Sequence, residues 1–327
     1  MPNPNIVPVV CVDRRLLHNR AVYTLYDQMI ISRLIWQIPA ALVTGIVLIL
    51  LILIVNECAV ARPSKRTRNI HYVAATSPDF SADRHVLDVY APKKKSSASG
   101  GYPVVVFIHG GNWDSGNKNL YSFIGRRLAK QGVVAVIINY RLAPDVVVPC
   151  MADDATRAVL WTTQHITNFG GDPARIFTMG HSAGGGLAAL LATKDELFTK
   201  LGLARNPVKG AILDDAAGLD MYDYLQKMEY ANDQQYLVPF GNDPAVWRSV
   251  SPMYFVGKGS PPMLLYTGGR TYPSITNSTA KFDKKLQEFG IIHTYSVLPD
   301  KKHVGMATQL YWKKNVIYRD LLKFVGA

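Results

Sequence analysis

The sequence predicts an α/β domain built on a mostly parallel central sheet with helices on both faces. Short continuous runs such as Val104-Val105-Val106-Phe107-Ile108 have the composition of strands buried on both sides. They alternate with helical segments, and that alternation implies crossover connections between parallel strands. A chain of 327 residues, 48% hydrophobic and 18% charged, is long enough for one sizeable core. It is unlike a disordered, collagenous or disulfide-framework sequence.

Taken in order, strand patterns cover His85–Tyr90 and Val104–Ile108, joined by the polar Lys93–Gly101 turn. A helix over Leu120–Gln131 ends at Gly132 and leads into a strand at Val133–Ile138. The next helix, Asp153–Phe169, opens on an acidic pair that suits the positive end of a helix. A strand at Arg175–Met179, a small-residue helix at Ala183–Ala192 and a strand at Val208–Leu213 follow. Residues 219–256, rich in Tyr, break the rhythm and read as an insertion over the sheet. A strand at Met263–Tyr266, a helix at Thr276–Phe289 and a strand at Thr294–Leu298 complete the pattern.

The N-terminal 61 residues read as a separate region preceding a domain over 62–327. Within that region residues 38–55 run for eighteen positions without a charge, apolar on every side, which predicts a membrane helix. An uncleaved anchor, making the membrane a partner, is the favoured reading. The alternative is export, with cleavage of a signal segment near Ala61. The basic cluster Arg62, Lys65, Arg66 and Arg68 follows directly and is read as attracted to a membrane surface. The formal net charge of +12 raises the question of nucleic acid, but no recognition motif accompanies it, so no nucleic-acid partner is expected. Cys11, Cys58 and Cys150 are far apart and in no metal-ligand spacing, so neither a metal nor a disulfide scaffold is indicated.

Two motifs carry chemistry. Gly180-His181-Ser182-Ala183-Gly184 matches G-x-S-x-G, with a predicted strand entering it and a helix leaving it. A tight strand-to-helix turn lifts the Ser182 hydroxyl above the sheet edge and aims the Ala183 N–H beside it. The second motif, His109-Gly110-Gly111-Asn112-Trp113, follows the Val104–Ile108 strand directly. Its glycines free backbone N–H groups at Gly111 and Asn112 for the other half of an oxyanion hole, with His109 stabilising the loop.

Together with Asn139–Pro144, Asp153-Asp154-Ala155 and Phe169–Pro173, in this order, these motifs resemble the α/β-hydrolase superfamily. The similar branches are the hormone-sensitive-lipase-like and the feruloyl-esterase- and formamidase-like ones. The resemblance covers about residues 70–325 and implies an α/β-hydrolase fold with a small insertion. It also implies a serine hydrolase without metal or cofactor, acting on small esters. Asp145 departs from the pattern, standing where that loop often carries Glu.

In that resemblance the general base is a His after the last strand, which His303 satisfies; His293 and His165 are poorer placed. The acid normally follows the strand Met263–Tyr266, but Thr271 stands there and no Asp or Glu occurs between Asp243 and Asp283. The preceding strand runs into Asp214-Asp215. Successive strand residues point to opposite sides, so at most one of the pair can reach His303. Asp215 is the choice, with Asp220 and Asp283 behind it, and capping of the following turn is the competing role for the pair. His181 and Trp113 are expected in the substrate pocket, with Tyr222, Tyr224, Tyr230, Tyr236 and Trp247 as further walls. The expected activity is carboxylesterase-type hydrolysis through Ser182. An amidase using the same groups and a non-catalytic hydrolase-like receptor are the rival readings.

Overall fold

The computed structural model describes residues 42, 44, 45, 47–49, 51 and 64–327. The chain divides into two compact units, Met1–Ala59 and Val60–Ala327. In the first, the described residues are helical. In the second, eight strands form one sheet: β1 (Ser64–His71), β2 (Val86–Pro92), β3 (Tyr102–Ile108), β4 (Val134–Ile138), β5 (Gly171–His181), β6 (Val208–Asp214), β7 (Met263–Gly268) and β8 (His293–Leu298). Their order is β1-β2-β4-β3-β5-β6-β7-β8. β2 pairs antiparallel with both β1 and β4, and every later neighbour is parallel.

Alternation along β3 builds both layers of the core. Val104, Val106 and Ile108 join one apolar cluster, Val105 and Phe107 the other. The first cluster is closed by α2 (Val148–His165), α3 (Ala183–Thr193) and α8 (Pro273–Glu288), the second by α1 (Ser122–Lys130) and α10 (Val316–Val325). Between them lie the short α4 (Glu196–Thr199), α5 (Met221–Lys227), α6 (Leu237–Phe240), α7 (Pro244–Ser249) and α9 (His303–Thr308). The chain passes from β3 to β4 on one side and then to β5 on the other. The sheet therefore opens a crevice beyond the carboxyl ends of β3 and β5, the usual ligand position in such sheets.

Several expectations are corrected. The membrane anchor over residues 38–55 is not supported: among the described residues no helix is long and apolar enough to cross a membrane. A span needs about 20 consecutive apolar helical residues. The described helix of 18 residues, α2, carries Asp153, Asp154 and Arg157. Most of the 38–55 run, and the cleavage position near Ala61, lie outside the described residues. Of the basic cluster, Arg62 lies outside the described residues. Lys65, Arg66 and Arg68 lie on β1, a polar edge strand without the apolar run that would have marked it. Arg66 pairs with buried Asp88 at 2.5 Å and lies over the Tyr90 ring.

α2 starts five residues before the acidic pair, at Val148, where Pro149 occupies the first turn. Asp154 consequently serves the core instead of the helix end. It accepts hydrogen bonds from His85 Nε2 (3.0 Å), the Arg141 guanidinium (2.6 Å) and the Arg141 backbone N–H (2.9 Å). Burial alone raises its carboxyl, but these donors together hold it below the ordinary value of 3.8. Asp88, held by Lys118, Asn69 N–H and Arg66, is lowered in the same way against its own burial. A carboxyl lowered in the native state stabilises the fold above its unfolded pKa, and that contribution is lost as pH falls through the folded value. Asp154→Asn is expected to cost about 3 kcal/mol at pH 7, because Arg141 and His85 are left facing a neutral amide. Urea unfolding of the variant at pH 7 and pH 3.5 checks this: the gap from wild type should narrow at the lower pH.

Candidate active site

At the end of β5 the chain turns into α3 through Ser182, whose backbone is held at φ 55° and ψ −126°. A non-glycine residue in that region is strained, and such strain persists only where the surroundings over-determine it. Here they do. The Ser182 N–H donates to the Asp214 carbonyl (3.1 Å), and its carbonyl accepts from the N–H groups of Gly185 (2.8 Å) and Ala217 (3.0 Å). A Cβ on Gly184 would run into the carbonyls of Ile108 and His109, so glycine is what allows α3 to press against the end of β3.

His303 enters from the loop after β8, at the start of α9. Asp215 follows β6 at φ 50°, anchored by its N–H on the Tyr266 carbonyl (2.8 Å). The structure brings these three residues into one hydrogen-bonded chain. His303 Nδ1 donates to Asp215 Oδ2 at 2.5 Å, and Ser182 Oγ donates to His303 Nε2 at 2.8 Å. The carboxylate can only accept, so it fixes the proton on Nδ1 and leaves the Nε2 lone pair toward Ser182. Asp215 is fully buried and also accepts the Gly268 N–H on Oδ1 (2.8 Å) and the Thr271 hydroxyl on Oδ2.

The adjacent Asp214, the last residue of β6, bonds instead to His181 Nδ1, through its carboxylate at 3.2 Å and its carbonyl at 3.1 Å. The His181 ring lies 4.8 Å from that of His303. The remaining alternatives are engaged elsewhere. Asp220 caps α5 and accepts from Tyr254, Asp283 pairs with His293 at 2.9 Å, and the His165 ring bonds to the Trp161 carbonyl inside α2.

Three backbone N–H groups are aimed by what their preceding carbonyls do. The Gly110 carbonyl accepts from His109 Nδ1 (2.8 Å), and the Gly111 carbonyl from the N–H groups of Asp114 and Ser115. The Ser182 carbonyl is held as described. Because a trans peptide points its N–H opposite to its C=O, the N–H groups of Gly111, Asn112 and Ala183 face away from these anchors. Gly111 (φ 130°) and Asn112 (φ 54°) adopt the left-handed backbone this requires. Burial pushes His109 down to about 3, so at neutral pH it is an uncharged loop tie. Behind the loop, Tyr140 donates to the His109 carbonyl (2.9 Å) and Arg84 to those of Tyr140 and Gly116.

Gly111, Asn112, Ser182, His181 and His303 line a cleft of about 570 Å³, walled by Tyr121, Tyr224, Tyr230, Tyr236 and Tyr272. Tyr121, Tyr224 and Tyr236 are all pushed above the ordinary phenol range, chiefly by burial, and remain neutral hydrogen-bonding groups. A smaller chamber of about 40 Å³ adjoins the cleft and shares Ala217, Tyr224, Tyr236, Ser274 and Ile275 with it. Trp113, only 3% exposed, lines this chamber and packs edge-on to Phe240. Two expected walls lie elsewhere. Trp247 is buried with its Nε1–H on the Gly241 carbonyl, and Tyr222 packs against Tyr254 and Arg248.

The sequence reading did not see Thr271 and Gly268 as donors to Asp215, because those contacts span more than fifty residues. Nor did it see Tyr272, whose ring lies 5.1 Å from that of His303. Among the described residues, Asp79, His85 and Asp154 lie close enough together to share a metal ion. Their carboxylates already face Arg141 and Arg157, which compete with a cation for the same oxygens.

The sheet order, the strained turn at Ser182 and the crevice above it define an α/β-hydrolase. Residues 87–286 match the BD-FAE family, and the chain belongs to it, within the carboxylesterase families of that fold. It is 27% identical over 266 residues to isoprenylcysteine alpha-carbonyl methylesterase ICME of Arabidopsis thaliana, covering 75% of this chain and 60% of that one. It is 26% identical to the kynurenine formamidase of Danio rerio, covering 80% and 85%. The chain thus spans less than two thirds of the methylesterase relatives it matches. Among solved structures, an inhibited esterase B from Lactobacillus rhamnosis superposes with a TM-score of 0.66 at 23% identity, over 88% of this chain and 96% of that one.

Proposed function

We propose that this protein is a serine hydrolase that cleaves small carboxylic esters through an acyl-enzyme. The hydrogen-bonded chain Asp215–His303–Ser182 opening onto a cleft supports the reading most directly. Ser182 Oγ attacks the ester carbonyl while His303 Nε2 takes its proton, and the N–H groups of Gly111, Asn112 and Ala183 stabilise the oxyanion. Collapse of the tetrahedral intermediate breaks the ester C–O bond as His303 returns the proton to the leaving alkoxide. Water, activated by the same imidazole, then releases the acid and restores Ser182. Asp215 remains ionised throughout and stabilises the transient imidazolium.

The likeness to a kynurenine formamidase supports a second reading, hydrolysis of a small amide by the same groups. Parallel rates on matched ester and anilide substrates separate the two. The complete hydrogen-bonded chain weighs against a receptor that has lost its chemistry.

The small chamber points to short acyl groups. One water-sized probe takes about 10–15 Å³, so the 40 Å³ between Trp113, Met221 and Ile275 admits about three heavy atoms. p-Nitrophenyl acetate to butyrate should therefore exceed the octanoate in kcat/KM by about 10-fold or more, since each excluded methylene is worth roughly 1–3 kcal/mol. Trp113→Ala or Ile275→Ala should move the optimum to longer chains. An unchanged chain-length profile in both variants would place the acyl group elsewhere.

A further inference from the structure

Asp215 Oδ2 receives two hydrogen bonds, from His303 Nδ1 and from the Thr271 hydroxyl, while the Gly268 N–H takes Oδ1. The carboxylate is fully buried, so the protein alone orients it. Gly268 and His303 each hold one oxygen, and a carboxylate's terminal torsion is otherwise broad. The Thr271 hydroxyl adds a bond on Oδ2 that does not depend on where the imidazole sits. Thr271 is itself fixed: its N–H donates to the Gly268 carbonyl (3.3 Å), and the Arg270 N–H donates to the Lys301 carbonyl (3.0 Å), tying this loop to the one that carries His303.

We propose that Thr271 is a positioning residue for the hydrolytic reaction, a hydroxyl clamp that holds the Asp215 carboxylate toward His303. This rests on the reading of Ser182, His303 and Asp215 given above. The hydroxyl and His303 Nδ1 share Oδ2, so both bonds form together only in one orientation of the carboxylate. The loops after β6 and β7 thus divide the task, one supplying the charge and the other its orientation.

The test compares Thr271→Val, which keeps the shape and loses the hydroxyl, with Thr271→Ser, which keeps the hydroxyl. In the full chain, Thr271→Val is expected to lower kcat about 10-fold with KM changed less than about twofold, as for loss of one charge-assisted hydrogen bond felt in the transition state. The low-field proton resonance of His303 Nδ1 should shift in the same variant while the melting temperature holds. Thr271→Ser should restore both kcat and the resonance. Wild-type kcat with an unmoved resonance in Thr271→Val would overturn the clamp, as would a change confined to KM or a failure of Ser to restore. Should Thr271→Val not fold, Thr271→Ala against Thr271→Ser makes the same comparison. Asp215→Asn, measured in parallel, separates the two levels. A wild-type rate there refutes the reading of the site, whereas a large loss there with none in Thr271→Val refutes only the clamp.

Discussion

Ser182→Ala is expected to lower kcat/KM on short p-nitrophenyl esters by roughly 10⁴–10⁶-fold, the scale seen when the nucleophile of a serine hydrolase is removed. The fold should be indifferent to the change. Ser182 Oγ makes its hydrogen bond to His303, while the backbone bonds that hold the strained turn are unaffected by losing the hydroxyl. Alanine also keeps the Cβ, so the backbone at φ 55° is no more and no less strained than before. A circular-dichroism melt matching wild type beside near-complete loss of turnover is the expected pair of results. A folded variant with activity near wild type would remove Ser182 from the mechanism.

Asp215→Asn should cut kcat by about 10²–10⁴ with little change in KM, because it removes a charge that matters most when His303 is protonated. The amide can also present its NH₂ to Nδ1 and so favour the wrong tautomer. Asp214→Asn and Asp283→Asn should each cost less than about 10-fold: the first carboxylate holds His181 and the second His293. Adding Thr271→Asp to Asp215→Asn tests the geometry. The Thr271 hydroxyl already touches the Asp215 oxygen that binds His303, so a carboxylate at 271 starts beside the same imidazole. Partial recovery of kcat is expected. Arg270, exposed next door, can draw the new carboxylate away, so the loss in the single variant is the sharper measurement.

How far the sequence could be read depended on whether a feature was local. β3 and β4 were legible because both are continuous apolar runs, and the turn at Ser182 because its glycines lie within five residues. β1 was not, since an edge strand exposes one side and Ser64–His71 is mostly polar. The start of α2 was misplaced because the acidic pair looked like a helix beginning, whereas Asp154 is committed to His85, almost seventy residues away. Alternation after β6 limited the partner of His303 to one residue of Asp214-Asp215, and Asp215 was the choice as the one further toward the carboxyl end. The contacts to Gly268 and Thr271 on the neighbouring loop that hold its carboxylate are recorded by no local pattern. The apolar run at 38–55 shows the reverse failure. Composition alone argued for a membrane span, and no described helix bears it out.

Active-site labelling distinguishes an activated Ser182 nucleophile from an inert turn. The purified protein is treated with a fluorophosphonate, digested, and the modified peptide sequenced by mass spectrometry. An activated serine facing an oxyanion hole should bind one equivalent on Ser182, in step with the loss of esterase activity, and Asp215→Asn should label far more slowly. No labelling in folded protein that still hydrolyses esters, or a label on another residue that tracks inactivation, would contradict an activated Ser182.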